Sequence, residues 1–120
     1  MKHKVSELTG GLLNAAVALA RGNQVKIEEG RAYILVPYDD GSQINSGRTE
    51  WVFFSPSRLW NEGGWIIDNH DIQLGGYGTS RYAEIRDDAK PWVRQWGETS
   101  LIAAMRAFVV SRLGEEVEIP

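Results

Sequence analysis

The stretch TSLIAAMRAFVVSRLG at residues 99–114 constrains the fold more than any other part of the chain. Leu101, Ile102, Met105, Phe108, Val109 and Leu113 recur at helical intervals, which lines them up on one side of an α-helix. Thr99 offers a side-chain oxygen to the first exposed N–H groups, Arg112 puts a cation in the last turn, and Gly114 is the stop. Such a stripe requires an apolar partner.

A second helix is predicted over 9–21, TGGLLNAAVALAR, started by Thr9 or Ser6 and released through Gly22. With Asn14 and Arg21 as its only long polar side chains, it reads as a core element. The basic start and apolar run at 12–20 also have the outline of a signal peptide. Asn14 interrupts that run, and its length falls far short of the ~20 residues that span a bilayer, so a folded helix is expected.

Between the helices the pattern changes to strands. Residues 25–28 and 31–37 read as a hairpin around Glu29 and Gly30, and EWVFF at 50–54 as a third strand. In FFSPSRLWNEGGWIID, residues 53–68, Pro56 ends that strand and Ser57 caps a single helical turn over 58–61. Gly63 and Gly64 then reverse the chain into a WIID strand. RYAEIR at 81–86 alternates Tyr82, Glu84 and Arg86 with Arg81, Ala83 and Ile85 and is read as the last main strand, with EEVEIP a short edge strand after the final helix. DDGSQINSGR at 39–48 and DDAKPWVRQWGE at 87–98 read as loops. At 120 residues the chain has room for one core. The expectation is a single α+β domain over 1–120, with an N-terminal helix, an antiparallel sheet of about four to five strands, and a C-terminal helix packed on one face.

The same helix–strands–helix order occurs in double-stranded RNA-binding domains, yet here the last helix offers phosphates only Arg106 and Arg112. There are 13 Lys and Arg against 16 Asp and Glu, a formal net charge of −3, so a nucleic-acid partner is disfavoured. The nearest basic cluster is Lys2, His3 and Lys4, at a terminus expected to be mobile. The absence of cysteine removes disulfides, thiolate metal sites and a cysteine nucleophile together and suits a reducing cytoplasm. No membrane association is expected. Nothing selects a monomer over a dimer paired through the EVEIP edge.

Candidate chemistry is sparse. Asp68, His70 and Asp71 outline a metal-dependent hydrolase, but neighbouring residues diverge and His3 is the only other histidine. Asp39–Asp40 and Asp87–Asp88 stand beside turn formers, GGYG at 75–78 lacks the lysine of a phosphate loop and reads as a tight reversal, and Ser55 and Ser57 lack a nucleophile elbow. No catalytic residue, metal or cofactor is expected.

The aromatics carry more. Trp51, Trp60, Trp65, Trp92 and Trp96 are many indoles for one small core, which holds two or three. Trp92 and Trp96, flanking Arg94 in a proline-led loop, are the pair expected at the surface. Arg58, Trp60, Trp65, Trp92, Arg94 and Trp96 are therefore the candidate binding residues, and their partner is expected to be a protein.

Three segments, KVSELTG at 4–10, FSPSRLWNEGGWII at 54–67 and TSLIAAMRAFVVSRLGEEVEIP at 99–120, resemble the NinX-like family of small phage and prophage proteins. Ser100 stands where the family often has proline, and Arg58-Leu59 where Thr-Asp is common. The second departure removes an acid and lowers any expectation of a metal there. The resemblance implies a phage or prophage protein made in a bacterial cytoplasm and implies no activity. It leaves SPS-x-x-W-x-x-GG as either a required corner or a contact surface.

Overall fold

Three helices, α1 (Gly10–Ala20), α2 (Trp60–Asn69) and α3 (Ser100–Leu113), set the frame of the computed structural model, which describes residues 2–37, 47–86 and 91–120. Thr99 caps α3 as its sequence predicts, its Oγ1 accepting from the Ile102 N–H at 3.1 Å. The strands are β1 (Lys2–Lys4), β2 (Val25–Glu28), β3 (Arg31–Pro37), β4 (Thr49–Phe53), β5 (Gln73–Tyr77), β6 (Ser80–Ile85), β7 (Val93–Gly97) and β8 (Glu116–Glu118). A 3-10 turn over Val5–Glu7 links β1 to α1.

These strands do not form one sheet of four or five. Among the described residues they form three antiparallel sheets, ordered β1-β8, β2-β3-β4 and β5-β6-β7. Nor do both long helices lie on one face. α1 covers β2 and β3, α3 covers β5, β6 and β7, and the two helices pack against each other. The layers run sheet, helix, helix, sheet. Each long helix is thus covered from two sides, which explains why residues 13–18 of α1 are all buried and why α3 buries Ala103, Ala104 and Ala107 beside its larger residues. Alanines let the helix axes approach closely. One hydrophobic cluster joins the layers, from Val5 and Leu13 through Ile34 and Phe54 to Ile66, Phe108 and Val117. Leu13, Ile66, Met105 and Phe108 are essentially fully buried, each a gain of about 1.5–3 kcal/mol.

The β2–β3 hairpin forms as expected. Glu29 and Gly30 take φ of 51° and 76°, the paired left-handed conformations of the tight turn that matches strand twist. Four readings need correction. Residues 60–69 are the helix α2, passing straight through Gly63 and Gly64, so WIID is helical rather than a strand. Gly75 and Gly76 lie inside β5, opposite Tyr82 and Arg81, and the reversal falls at Gly78 and Thr79. Residues 93–97 are the strand β7 and not a loop, so β6 is central in its sheet rather than last. Lys2, His3 and Lys4 form β1 and pair with Glu118, Val117 and Glu116, so this terminus is ordered and occupies one edge of β8. Because α1 and α3 cover different sheets, the arrangement of a double-stranded RNA-binding domain is absent. Residues 38–46 and the pairs Asp39–Asp40 and Asp87–Asp88 lie outside the described residues. Among the described residues no helix is long and apolar enough to cross a membrane.

Candidate interaction surface

The serine–proline–serine segment is a corner. Ser55, Pro56 and Ser57 are buried, and Asn14 of α1 reaches them from the core. Its Oδ1 accepts the Ser57 backbone N–H at 3.0 Å, and its Nδ2 donates to Ser55 Oγ at 3.3 Å. Glu62 Oε1 accepts the Ser55 N–H at 3.0 Å. The segment therefore ties the end of β4 to both α1 and α2. Where α2 crosses it, a Cβ on Gly63 would collide with the Pro56 carbonyl and the Leu101 side chain. The signature is glycine there because only hydrogen fits.

This corner turns Arg58, Trp60 and Trp65 outward. Trp60 is 57% and Trp65 54% exposed, with the Arg21 guanidinium 5.5 Å from the Trp65 ring. Trp51, on β4, is 40% exposed beneath Lys26. Trp92 at 67% and Trp96 at 42% complete the set, so none of the five indoles is in the core. The expectation that two or three would fill it fails: among the described residues the interior is filled by alanine, aliphatic, methionine and phenylalanine side chains, many of them from the two long helices.

Trp96 and Arg94 project from β7 on the side away from α3, with Trp92 just before the strand. β6 adds Tyr82 and Glu84 to that face, with Arg86 just after the strand, and β5 adds Tyr77. Tyr82 is opposite Trp96 and Glu84 opposite Arg94. The Tyr82 ring lies over Gly75, meets Trp96 edge-on at 5.3 Å and stands 6.3 Å from Tyr77. Glu84 accepts from Arg94 Nε at 2.8 Å and from Arg86 Nε at 2.9 Å, one oxygen to each. Arg94 lies 4.6 Å from the Tyr82 ring and Arg86 4.4 Å from that of Trp92. The result is a continuous run, Trp92, Arg86, Glu84, Arg94, Tyr82, Trp96, of ring and ion contacts on an open sheet face.

Hydrogen bonds from Arg94, then Arg86, hold the Glu84 carboxyl below its ordinary range against the opposing effect of burial. Its cover consists of those two guanidinium groups, whose side chains are themselves about half exposed. The outer sheet face is a charged, aromatic surface held by these contacts.

His70 ends α2 and stacks 4.7 Å from Phe108, with Arg112 Nη2 3.3 Å from its Nδ1. Burial, then Arg112 and Arg21, lower its pKa, with Asp71 opposing. Asp68 and Asp71 are exposed, and among the described residues no three of His, Asp and Glu converge in a ligand set.

The six predicted binding residues thus fall in two places, three around α2 and three at β7. Tyr77, Tyr82, Glu84 and Arg86 were missed as partners of the second group. The available signal was the two-residue spacing of Trp92, Arg94 and Trp96, which places all three on one side of a strand.

The family model described as Bacteriophage P22, NinX matches residues 4–112. Among curated proteins, none matches the chain.

Proposed function

The chain belongs to the bacteriophage P22 NinX family, and from that premise we propose that it is a non-enzymatic accessory protein of a phage or prophage. In this reading it acts in the bacterial cytoplasm by binding a host or phage protein through the outer face of β5, β6 and β7. The observation that carries the reading is the exposed run from Trp92 to Trp96. Tryptophan, tyrosine and arginine are the residues that dominate the energetics of protein interfaces. Here Glu84 and the ring contacts already hold those side chains, so binding loses less side-chain entropy than from a mobile surface.

The test is an affinity pull-down from host lysate, with and without nuclease, using wild type and the Trp92→Ala/Trp96→Ala variant. A stoichiometric protein that survives nuclease and is lost with the variant supports the reading. A nucleic-acid ligand is the second reading, favoured by the same face, since bases stack on exposed aromatic and arginine planes. It predicts recovery of nucleic acid alone, with steep salt dependence.

A further inference from the structure

Among the described residues, β7 pairs only with β6, leaving its other edge open. Open strand edges carry unpaired N–H and C=O groups ready to accept another strand. The Trp96 carbonyl accepts from Arg106 Nη1 at 2.6 Å, so it points away from β6 and along that edge. A strand residue sends its N–H and C=O to the same side, and alternate residues share that side. Arg94 therefore directs both its main-chain groups to the open edge, where no described group bonds them. Arg106 closes one end of this edge and leaves the middle free.

Beneath the edge, a groove of about 660 Å³ separates β7 from the C-terminal half of α3, walled by Trp92, Val93, Val110, Arg112 and Glu115. Two smaller hollows continue it, and Gln95 lines all three. The whole length of β7 is thus accompanied by open space. Arg112 has no carboxylate partner among the described residues, only the His70 ring nitrogen and the face of Phe108 5.5 Å away. On the neighbouring face, among the described residues, one carboxylate, Glu84, serves two guanidinium groups. With the Arg94 guanidinium held by Glu84 on the outer face, Arg112 is the groove cation that no described carboxylate meets, in a chain whose formal net charge is −3.

We propose that this groove takes an extended acidic segment of a protein partner, which adds as a strand to the open edge of β7 and sets a carboxylate on Arg112. This goes beyond the outer-face reading above and rests only on its premise that the partner is a protein. Strand addition supplies main-chain hydrogen bonds, and alternate side chains supply selectivity. At ~3.4 Å per residue β7 matches about five residues of partner, enough to reach from Arg106 to Arg112. A second copy of the chain fits less well, because its own β7, Val-Arg-Gln-Trp-Gly, brings no carboxylate to Arg112.

The probe is an eight-residue peptide alternating glutamate and valine, titrated into the isotope-labelled full chain and followed by amide NMR shifts. The expected result is movement of the Arg94 and Trp96 amides and of the Arg112 Nε–H. Arg112→Gln weakens binding about tenfold, and so does replacing the peptide's glutamates by glutamine. Methylating the peptide nitrogens on one alternate set, and not on the other, abolishes binding. No shift at Arg94 with millimolar peptide, equal affinity for Arg112→Gln, or shifts confined to the outer sheet face overturns the proposal. Concentration-dependent dimerisation that protects the Arg94 amide overturns it in favour of a second copy. A pull-down separates the two readings: a partner lost with Arg112→Gln but kept by Tyr77→Ala/Tyr82→Ala, which alters the outer face and no wall of the groove, upholds the groove and rejects the outer face. The reverse pattern upholds the outer face and rejects the groove.

Discussion

Ser57 donates its backbone N–H to Asn14 Oδ1 across 3.0 Å, joining positions 43 residues apart inside the core. The same Asn14 side chain donates to Ser55 Oγ, so one amide holds two points of the corner. Asn14→Ala leaves a buried N–H and a hydroxyl without that partner and is expected to lower stability by about 2–3 kcal/mol. Urea denaturation checks this, and a loss within experimental error of zero would mean that water or a shifted corner replaces the amide.

Gly63 and Gly64 are adjacent in one helix but should respond oppositely to the same change. Gly63→Ala drives a methyl into the Pro56 carbonyl and is expected to destabilise by roughly 1–3 kcal/mol. At Gly64 the nearest atom to an added Cβ is Trp60 Cε3 at 3.7 Å, an ordinary contact. Gly64→Ala should therefore gain about 0.5–1 kcal/mol from helix propensity. Melting temperatures of the two variants decide it.

Glu84 gives stability an acid limb. Its folded-state pKa lies below the ordinary 4.5, so its contribution is complete above that value and is lost as pH falls through the folded value. Glu84→Gln should narrow its stability deficit relative to wild type as pH drops below the ordinary carboxylate range. Parallel urea midpoints from neutral to strongly acidic pH show whether the curves converge.

For His70 the sign is that of a base held neutral. With a folded pKa below the ordinary 6.5, the unfolded chain binds the proton more readily, so stability declines as pH falls from about 6.5 through the folded value. Removing the Arg112 charge by Arg112→Gln should raise the folded pKa, read from the imidazole C2–H shift. An unchanged titration would leave burial and Arg21 as the causes.

The indoles predict an unusual fluorescence. All five are at least 40% exposed, so native emission should already be red-shifted and open to acrylamide, with little further change on unfolding. Trp92→Ala should alter stability by no more than about 0.5 kcal/mol, whereas Phe108→Ala should lose about 3–5.

Local chemistry was legible where the chain carries it locally. The Thr99 cap, the Glu29-Gly30 turn and the periodicities of α1 and α3 are properties of a few neighbouring residues, and each appears as read. Gly63 misled because a glycine pair signals a turn unless a distant backbone presses on it, and the Pro56 carbonyl that does so is visible only in three dimensions. β7 was missed because Pro91 and two acids suggested a loop while the period-two spacing of its outward side chains went unused. The partition into three sheets had no local signal at all, since it follows from two alanine-rich helices packing together before either meets a sheet. The exposed indoles were anticipated in kind, but the Tyr82 and Glu84 contacts that organise Trp92, Arg94 and Trp96 depend on register between strands.

The pairing of β1 with β8 has a kinetic meaning. Lys2 must find Glu118, a separation spanning almost the whole chain, whereas β2–β3 and β5–β6 need only a two-residue reversal. Contacts so distant in sequence form late, because loop closure must be offset by structure already in place. On the ribosome, β1 emerges long before β8 and keeps its main chain hydrated, without its partner strand, until Glu118 has left the tunnel. The hairpins and helices can assemble as they emerge, while this ribbon closes only once β8 has followed them.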